Sequence, residues 1–470
     1  MLSKIRIYAG YLLLFIFDII SLFLIFFLSV YTRKHILPFF IKDLPVFENT
    51  FKYFWIFIVF LVIFLYEGLY TKRFSLWDEI KTEIKSILIS FVLIFFILFI
   101  TKKGYEYSRA FLISYFFLLI IFFPFLRMIA KRIIYSLNLM TRRVLIVGSS
   151  KNSEQVIKAI KNEKNLGYTI AGIIDDKKGN ICGYKIHTGL DQIERYIRFS
   201  HIDDVIITKD DLSKEETEKL INKIQHKVSN TVYIPDIAGI AVSGTDIKYF
   251  FQEQLIGIEI KNNLSNPLTY LTKRVIDYIF SLIIFILIIP VMILIAVLIK
   301  LSDKGPVIYS HKRIGKNAKE FNCYKFRTMY VDADKKLKEI LEKDPQKKKE
   351  WETYWKLKDD PRVTKIGKFL RKTSLDELPQ IFNVLKGEMS LVGPRPYLPR
   401  EWNHIKDESS IIHALPPGIT GLWQVSGRNN EDYNYRIIMD CWYVKNWNLW
   451  LDIVILIKTI RAVIKREGAC

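Results

Sequence analysis

Two adjacent carboxylates stand at the start of a predicted helix in the last third of the sequence. Asp376 and Glu377 are followed by apolar residues at helical spacing up to Lys386. A helix N-terminus favours negative charge, so Asp376 is expected to stay ionised and could act as a nucleophile or, with Glu377, hold Mg²⁺. Ser374 and Glu377 also have the spacing of a capping box, which requires no catalytic function, and spacing alone does not decide between these interpretations.

Arginines flank the carboxylate pair. Arg371 lies shortly upstream, and Arg395 lies downstream between two prolines in a predicted rigid turn. A guanidinium binds phosphate oxygens in a bidentate manner, and proline fixes the backbone that directs it. We therefore expect Arg371 and Arg395 to bind phosphate groups near Asp376. The alternative, solvated surface charges, explains the neighbouring Lys372 better than Arg395.

A second basic group follows the last long apolar run. Lys312 and Arg313, and then Lys325 and Arg327, lie on short segments with strand-like composition. Close to a plane of lipid headgroups, such residues could receive a diphosphate. Anchoring to an anionic membrane surface explains Lys312 and Arg313 equally well, but it explains the alternating pair Lys325 and Arg327 less well.

A glycine-rich loop over residues 416–428 combines an aromatic residue with an arginine. Glycines let the backbone approach a ligand closely, and Trp423 or Arg428 could contact a base or a phosphate. We assign Gln424 and Arg428 to a candidate nucleotide-binding loop. The alternative is an ordinary surface turn with a buried Trp423.

The composition indicates a membrane-associated chain. Half of the 470 residues are hydrophobic, yet the formal net charge is +21, so apolar runs must alternate with basic stretches. Lys and Arg stand beside the apolar runs, where they would meet anionic headgroups, which argues against nucleic acid as a partner. The cysteines form no CxxC pair and fit a reduced, cytosolic setting without zinc or disulfides: Cys182, Cys323, Cys441 and Cys470.

Four apolar runs in the first third of the chain predict transmembrane helices, since a bilayer requires about 20 residues per helix. They cover residues 7–31, 51–70, 86–101 and 110–129. The first begins after Lys4 and Arg6 and is too long for a signal peptide, so we expect an anchor. The third is short and would need Lys85 to snorkel. Basic residues around 127–143 predict cytoplasmic ends for this four-helix domain, residues 1–135.

A domain of alternating strands and helices follows, over residues 136–262. Strands at 144–147, 168–174, 204–208 and 231–234 alternate with helices, which predicts a small parallel sheet. The loop after the first strand stands where a dinucleotide-binding loop would have GxGxxG, but only Gly148 is present. We therefore expect a degenerate Rossmann-like domain with a structural or regulatory role, with nucleotide binding as the weaker alternative.

The apolar run over residues 273–300 is long enough to cross the membrane, but Pro290 lies well inside it. If this helix crossed the membrane, the candidate catalytic residues that follow it would lie outside the cell. Proline removes a backbone donor and can kink a helix, so we predict a re-entrant helix broken at Pro290, with Lys273 and Arg274 at one headgroup edge and Lys300 at the other. An ordinary kinked spanning helix is the alternative. Farther on, residues 447–465 predict a helix in the membrane plane.

Several ordered motifs in residues 263–470 resemble the monotopic phosphoglycosyl transferases, or polyprenyl-phosphate hexose-1-phosphate transferases. The preceding domains are similar to the long form of that family, and residues 341–345, 350–361 and 442–468 resemble its undecaprenyl-phosphate galactose-1-phosphate transferases. The motifs are Lys273-Arg274-x-x-Asp277 and residues 324–329, 373–380, 382–390, 393–396 and 417–428.

The resemblance implies a catalytic domain over residues 263–470 on the cytoplasmic face of a bacterial inner membrane. Asp376 would attack the sugar-bearing phosphate of a UDP-sugar, expel UMP and pass the phosphosugar to undecaprenyl phosphate, the first step of O-antigen, capsule or exopolysaccharide assembly. Galactose is the favoured sugar, followed by glucose. The resemblance further implies a homodimer, phosphate contacts from basic residues, and Mg²⁺ held by carboxylates: Lys325, Arg327, Arg371 and Arg395 for phosphate, and Asp376, Glu377 and Glu388 for the metal.

Two positions depart from the family's pattern, and two rival functions were considered. Ile289 precedes Pro290 where the family often has Ser, and Glu388 stands where Asp is common. A dehydratase that uses NAD would need an intact GxGxxG and a Tyr-x-x-x-Lys in the same domain, but Tyr354 and Lys358 lie far outside it. A scaffold or chain-length regulator of polysaccharide export would explain the helices but not Asp376 with Arg395.

Overall fold

The computed structural model describes residues 2–41, 50–235, 246–250, 255–259, 267–346, 348, 351, 360–426 and 433–465. The chain forms two compact units, Met1–Ile237 and Ala238–Cys470. The first contains apolar helices and an α/β sheet, as the sequence predicts. The second contains a further long apolar helix and the candidate catalytic residues.

The first unit begins with four apolar helices, α1 to α4. Ser75 caps the third and Ser108 the fourth, each by accepting a backbone N–H through its side chain. Three of the four are long and apolar enough to cross a membrane, and α2 is shorter. Their bounds are Leu2–Tyr31, Trp55–Tyr66, Leu76–Ile100 and Arg109–Ser136.

Two of the predicted membrane spans have the wrong length. The second, predicted over residues 51–70, is an α-helix for only 12 residues, about 18 Å at 1.5 Å per residue. The third, predicted to be short, has 25 residues because the Ser75 cap starts it at Leu76. Lys85 therefore lies inside α3, where its Nζ is 2.9 Å from Glu67 Oε2, and its snorkelling stays a prediction.

A buried cluster of charges ties the helices together. Arg127 on α4 is fully buried and pairs with Asp18 on α1 and with Glu79 and Glu83 on α3, at 3.0 Å and 3.3 Å for the two glutamates. Lys131 pairs with Glu79 at 2.7 Å. Three carboxylates and two cations are thus removed from water. The desolvation cost is offset only because the opposite charges pair with one another.

The α/β part of the first unit is a six-stranded sheet in the order β3-β4-β2-β1-β5-β6. All neighbouring pairs are parallel except the short β3 against β4, which confirms the predicted parallel sheet. The strands are Arg142–Val147, Tyr168–Asp175, Asn180–Ile181, Tyr184–Thr188, Asp204–Ile207 and Asn230–Tyr233. The helices are α5, α6 and α7, at Lys151–Asn162, Ile193–Phe199 and Lys214–Ile224.

Apolar residues cover both faces of this sheet, as a parallel sheet requires. One face packs Val144 and Ile146 of β1 against Ile157 of α5. The other packs Leu145 and Val147 of β1 together with residues of α6 and α7. The alternation along β1 therefore divides its side chains between two cores.

The second unit contains small sheets and short helices around a long apolar helix, α8. Strands β7 and β8, and β9 and β10, pair antiparallel, whereas β11 and β12 pair parallel. The strands are Asp246–Phe250, Leu255–Glu259, Ile308–Ile314, Glu320–Phe326, Ser390–Val392 and Gly418–Thr420. Helices α8 to α16 are Pro267–Ser302, Ala333–Lys343, Lys365–Thr373, Gln380–Leu385, Trp402–Ile405, Ser409–Ile412, Leu422–Ser426, Tyr433–Lys445 and Leu449–Lys465.

Helix α8 continues through Pro290 as one helix of 36 residues. Both of its halves pack on the rest of the second unit. Before Pro290, Lys273 lies 2.7 Å from Asp452 of α16. After Pro290, Met292 packs in a core with Phe326 and Leu370. Lys273 is only 1% exposed, so its side chain pairs within the second unit, and its position at a headgroup edge stays a prediction.

The C-terminal helix α16 has two faces. Asp452, Val454 and Ile455 are buried against the unit's core. The opposite face exposes a row of isoleucines, an arrangement suited to a helix lying at a membrane surface: Ile453, Ile457, Ile460 and Ile464.

Candidate functional site

The carboxylate pair lies in a tight turn between α10 and α11. Helix α10 ends at Thr373, and Ser374 adopts a left-handed conformation with φ of 57°. Leu375–Glu377 then form one turn of 3₁₀-helix. The capping-box interpretation is wrong, because the Ser374 side chain makes no cap hydrogen bond. The left-handed residue instead redirects the chain and presents Asp376 and Glu377 together.

Glu377 forms an ion pair with a lysine from the neighbouring strand. Lys325 on β10 places its Nζ 2.6 Å from Glu377 Oε1, with both side chains about one-third exposed. Burial would raise the pKa of Glu377, but Lys325, Arg395 and Arg313 together hold it below its usual value. Glu377 is therefore ionised at neutral pH and is surrounded by cations.

Asp376 is the less stabilised of the two carboxylates. Burial raises the pKa of Asp376 to about 6, and the charge of Glu377 adds to this effect, whereas Lys325 and Arg371 oppose it. Arg371 is held in place because its Nε donates to Thr328 Oγ1 at 3.0 Å. At neutral pH Asp376 is mostly ionised but poorly solvated. These properties suit a carboxylate that reacts with an electrophile.

Three arginines from different elements converge next to the pair. Arg395 follows β11, Arg313 lies on β9, and Arg436 lies on α15. Burial and the charge of Arg395 lower the pKa values of both Arg313 and Arg436. Arg395 and Arg436 also stack on the Trp423 ring, at 5.6 Å and 4.4 Å from its centroid. Because the neighbouring guanidinium groups repel one another, the arginine cluster strongly favours an anionic ligand.

A buried aspartate positions this arginine cluster. Asp440 Oδ2 accepts the backbone N–H of Arg395 at 3.2 Å and the hydroxyl of Tyr397 at 2.8 Å. Burial raises the pKa of Asp440 to about 7, although these hydrogen bonds and Arg436 lower it. The turn that carries Arg395 is thereby fixed to α15.

Other predicted site residues lie among different partners. Arg327 donates to the Asp303 carbonyl at 2.9 Å, near the end of α8. Glu388 accepts from Asn383 Nδ2 at 2.6 Å. Gln424 lies on the short helix α14, whereas Arg428 falls outside the described residues. Within the described ranges no three His, Cys, Asp or Glu side chains form a metal-binding group, so Glu388 is not gathered with the carboxylate pair.

The sequence analysis missed Arg436 and Asp440 altogether and left Arg313 open between diphosphate binding and membrane anchoring. Neither Arg436 nor Asp440 has an informative neighbour in the sequence. They enter the site because α15 packs beside the turn that holds Arg395. Their spacing of four residues, which places them on one helix face, was the available signal.

Helices able to span a membrane, together with a poorly solvated carboxylate among arginines, define a membrane-associated enzyme that acts on phosphate groups. Comparison with known families agrees. Residues 268–466 match the family described as bacterial sugar transferase, and residues 67–235 match one described as CoA-binding domain.

Named relatives extend over most of the chain. It is 36% identical over 403 residues to the undecaprenyl-phosphate galactose phosphotransferase of Salmonella typhimurium, covering 85% of this chain and 84% of the relative. It is 36% identical over 404 residues to the UDP-galactose-lipid carrier transferase of Erwinia amylovora, with 85% and 84% covered. It is 32% identical over 335 residues to the UDP-glucose:undecaprenyl-phosphate glucose-1-phosphate transferase of Klebsiella pneumoniae, with 68% and 67% covered. The chain belongs to the bacterial sugar transferases, as a long-form polyprenyl-phosphate hexose-1-phosphate transferase.

Proposed function

We propose that this enzyme transfers a hexose-1-phosphate from a UDP-sugar to undecaprenyl phosphate and releases UMP. The observation that carries this proposal is the partly buried carboxylate of Asp376, flanked by Lys325 and Arg371, with Arg395 and Arg313 acting on the adjacent Glu377. Two relatives covering most of the chain are named for galactose, which makes galactose the first choice of sugar and glucose the second. The product would start an O-antigen, capsule or exopolysaccharide chain.

The chemistry proceeds in two displacements. An oxygen of the Asp376 carboxylate attacks the sugar-bearing phosphorus, the bond from that phosphorus to the bridging oxygen breaks, and UMP leaves with the bonding pair. A phosphate oxygen of undecaprenyl phosphate then attacks the same phosphorus and frees Asp376. Arg371, Lys325 and the arginine cluster orient the phosphates and offset their charge, which is the main requirement of phosphoryl transfer.

A divalent cation fits this arrangement when the substrate contributes ligands. Asp376 and Glu377 are adjacent, and the pKa of Asp376 is raised first by burial and further by the charge of Glu377, which a cation would offset. Mg²⁺ is commonly held by one or two carboxylates with substrate phosphates, so these two residues would hold it without a third. When bound, Mg²⁺ would neutralise charge that develops on the phosphate oxygens.

The pH dependence of UMP release should follow the ionisation of Asp376. Only the carboxylate form is nucleophilic, and its pKa is about 6, so kcat/KM should fall as pH decreases through 6 and reach a plateau above it. Lys325→Gln removes a cation that lowers this pKa and should move the profile to higher pH. The control variant Lys312→Gln changes an exposed lysine on β9 and should leave the pH profile unchanged. Identical profiles for all three proteins would contradict this assignment.

We further propose that α8 is re-entrant and keeps the second unit on the cytoplasmic face. Two observations support this: Lys273 and Met292 lie on opposite sides of Pro290, and both are buried against that unit. The Phe285 ring, close to the proline, also packs on Phe382 with a centroid distance of 5.2 Å. A helix whose two ends both pack on one compact unit is more easily accommodated if it returns to the side it entered.

Cysteine labelling tests this topology. Lys319→Cys, in a background with Cys182→Ser and Cys470→Ser, should react with an impermeant maleimide in inverted vesicles but not in intact spheroplasts. The native Cys323 and Cys441 are buried and should not react with the maleimide. Lys102→Cys, in the exposed turn after α3, should give the opposite pattern. Labelling of the Lys319→Cys protein from outside would overturn the proposal.

The reaction itself is tested with the purified full-length protein. UDP-galactose, UDP-glucose and UDP-N-acetylglucosamine are supplied separately with undecaprenyl phosphate and Mg²⁺, and UMP is quantified. We expect release with UDP-galactose, less with UDP-glucose, and loss of release when Mg²⁺ is chelated. No release with any UDP-sugar would refute the proposed activity. Mass photometry of the same preparation tests the homodimer that we propose from the family resemblance.

A further inference from the structure

The usual nucleotide site of a Rossmann-like sheet is filled here by the protein's own side chains. That site lies at the carboxyl ends of the central strands. After β5, Lys209 extends across this edge, and its Nζ lies 2.8 Å from Asp175 Oδ1 and 3.1 Å from Asp211 Oδ1. Ser149, in the loop after β1, donates to Asp175 as well. Only 6% of the Lys209 side chain is exposed, so a pyrophosphate at this edge would have to displace a buried ion pair.

A separate groove on the same domain is open. It lies between strand β4 and helix α6 and has a volume of about 450 Å³. This is within the range of roughly 300–1,000 Å³ that small-molecule sites occupy. Its walls combine three basic side chains, Lys185, His187 and Arg195, with the rings of Tyr196 and Phe199.

The aromatic wall of this groove is held in place. The Tyr196 hydroxyl donates to the Ala171 carbonyl at 3.5 Å, and its ring lies 5.1 Å from that of His187. Gly172 makes this position possible, because a Cβ at that residue would lie 2.2 Å from the Tyr196 hydroxyl oxygen. The ring therefore rests directly on β2, where a larger residue than glycine would push it away.

The charge of the groove is uncompensated. Its lining contains no carboxylate, and in the part of the chain that the structure describes neither Lys185 nor Arg195 has one within 4 Å. Glu194 lies on the same helix as Arg195, but it forms an ion pair with Lys227. Arg195 lies over the Phe199 ring, 5.5 Å from its centroid. Cations beside aromatic rings offer phosphate recognition and base stacking together.

We propose that this groove binds a nucleoside diphosphate, with the base against Tyr196 and His187 and the phosphates on Lys185 and Arg195. Every residue of this site belongs to the first unit, whereas the arginine cluster belongs to the second. It would let the α/β domain sense nucleotide without the glycine-rich loop that the sequence lacks.

Photolabelling of the full-length protein in detergent tests this assignment. Irradiation with 8-azido-ADP should label a peptide within residues 185–199, and Arg195→Glu should reduce that label at least tenfold. Arg198→Glu is the matched control, because Arg198 lies on the same helix but does not line the groove. UMP release should stay unchanged in both variants, which shows that they are folded and separates this test from that of the catalytic proposal.

Three outcomes would overturn the proposal. They are label found only outside residues 185–199, label in that segment unaffected by Arg195→Glu, and equal loss of label in Arg198→Glu. Competition provides a further arm: unlabelled ADP and UDP should displace the probe, and inorganic pyrophosphate should do so at least tenfold less well. Equal displacement by pyrophosphate would show that the rings contribute nothing and would refute a nucleoside ligand.

Discussion

Replacement of Asp376 by Asn should abolish UMP release, with a loss of at least about 1000-fold, because the amide removes the proposed nucleophile while preserving its shape. UDP-sugar binding should survive, since Lys325, Arg371 and Arg395 remain. Single-turnover assays of UMP formation measure the first displacement directly. Intact-protein mass spectrometry should detect a phosphosugar adduct on the wild-type chain when undecaprenyl phosphate is omitted, and none on the variant.

The matched control for this variant is Glu339→Gln, a carboxylate-to-amide change on an exposed position of α9. It should retain full activity. A small effect of Asp376→Asn, similar to that of the control, would exclude a covalent role for Asp376. Turnover by the variant without a detectable adduct would instead favour direct transfer between the two substrates.

Replacement of Arg127 by Met should cause the largest loss of stability. Met retains much of the side-chain volume, but it leaves Asp18, Glu79 and Glu83 buried without their shared cation. Removing one partner of a buried ion pair costs about 3–5 kcal/mol, and here three partners lose it at once. The carbonyl of Leu69 also loses a donor at 2.7 Å. The expected result is a clearly lower midpoint of thermal unfolding in detergent.

Arg132→Met provides the comparison, since Arg132 is on the same helix but exposed. Its effect should be within about 0.5 kcal/mol, as for surface substitutions generally. The double variant Arg127→Met/Asp18→Leu should recover part of the loss by removing one uncompensated carboxylate. Equal midpoints for the Arg127 and Arg132 variants would show that the buried cluster contributes no net stability.

Local patterns were sufficient to predict the parallel sheet. The alternation of strands and helices after Arg142 indicated parallel pairing, and the four predicted strands form where they were expected, whereas β3 and β4 were not predicted. The carboxylate pair was expected to open a helix, but it lies in a 3₁₀ turn before the helix that starts at Gln380. Helix lengths in the membrane domain were less predictable. Hydropathy measures composition, whereas the start of α3 depends on the Ser75 cap and the end of α2 on the turn after Tyr66.

Contacts between distant segments could not be predicted. The pairing of Glu377 with Lys325 joins residues 52 positions apart, and it replaced the capping box that local spacing suggested. Arg436 and Asp440 likewise enter the site only through the packing of α15. The burial of Lys273 could not be predicted for the same reason, because its partner Asp452 lies 179 residues later in the chain.

This last separation constrains how the protein is made. When α8 leaves the ribosome, Lys273 has as its acidic partner only Asp277, four residues later on the same helix and 3.8 Å away. Asp452, which lies closer to Lys273, and Ser390, which donates to Asp277, have not yet been synthesised. The contacts that bury this pair of charges are therefore completed only after the last helix has been translated, and a chain truncated before α16 should leave Lys273 without its nearest acid.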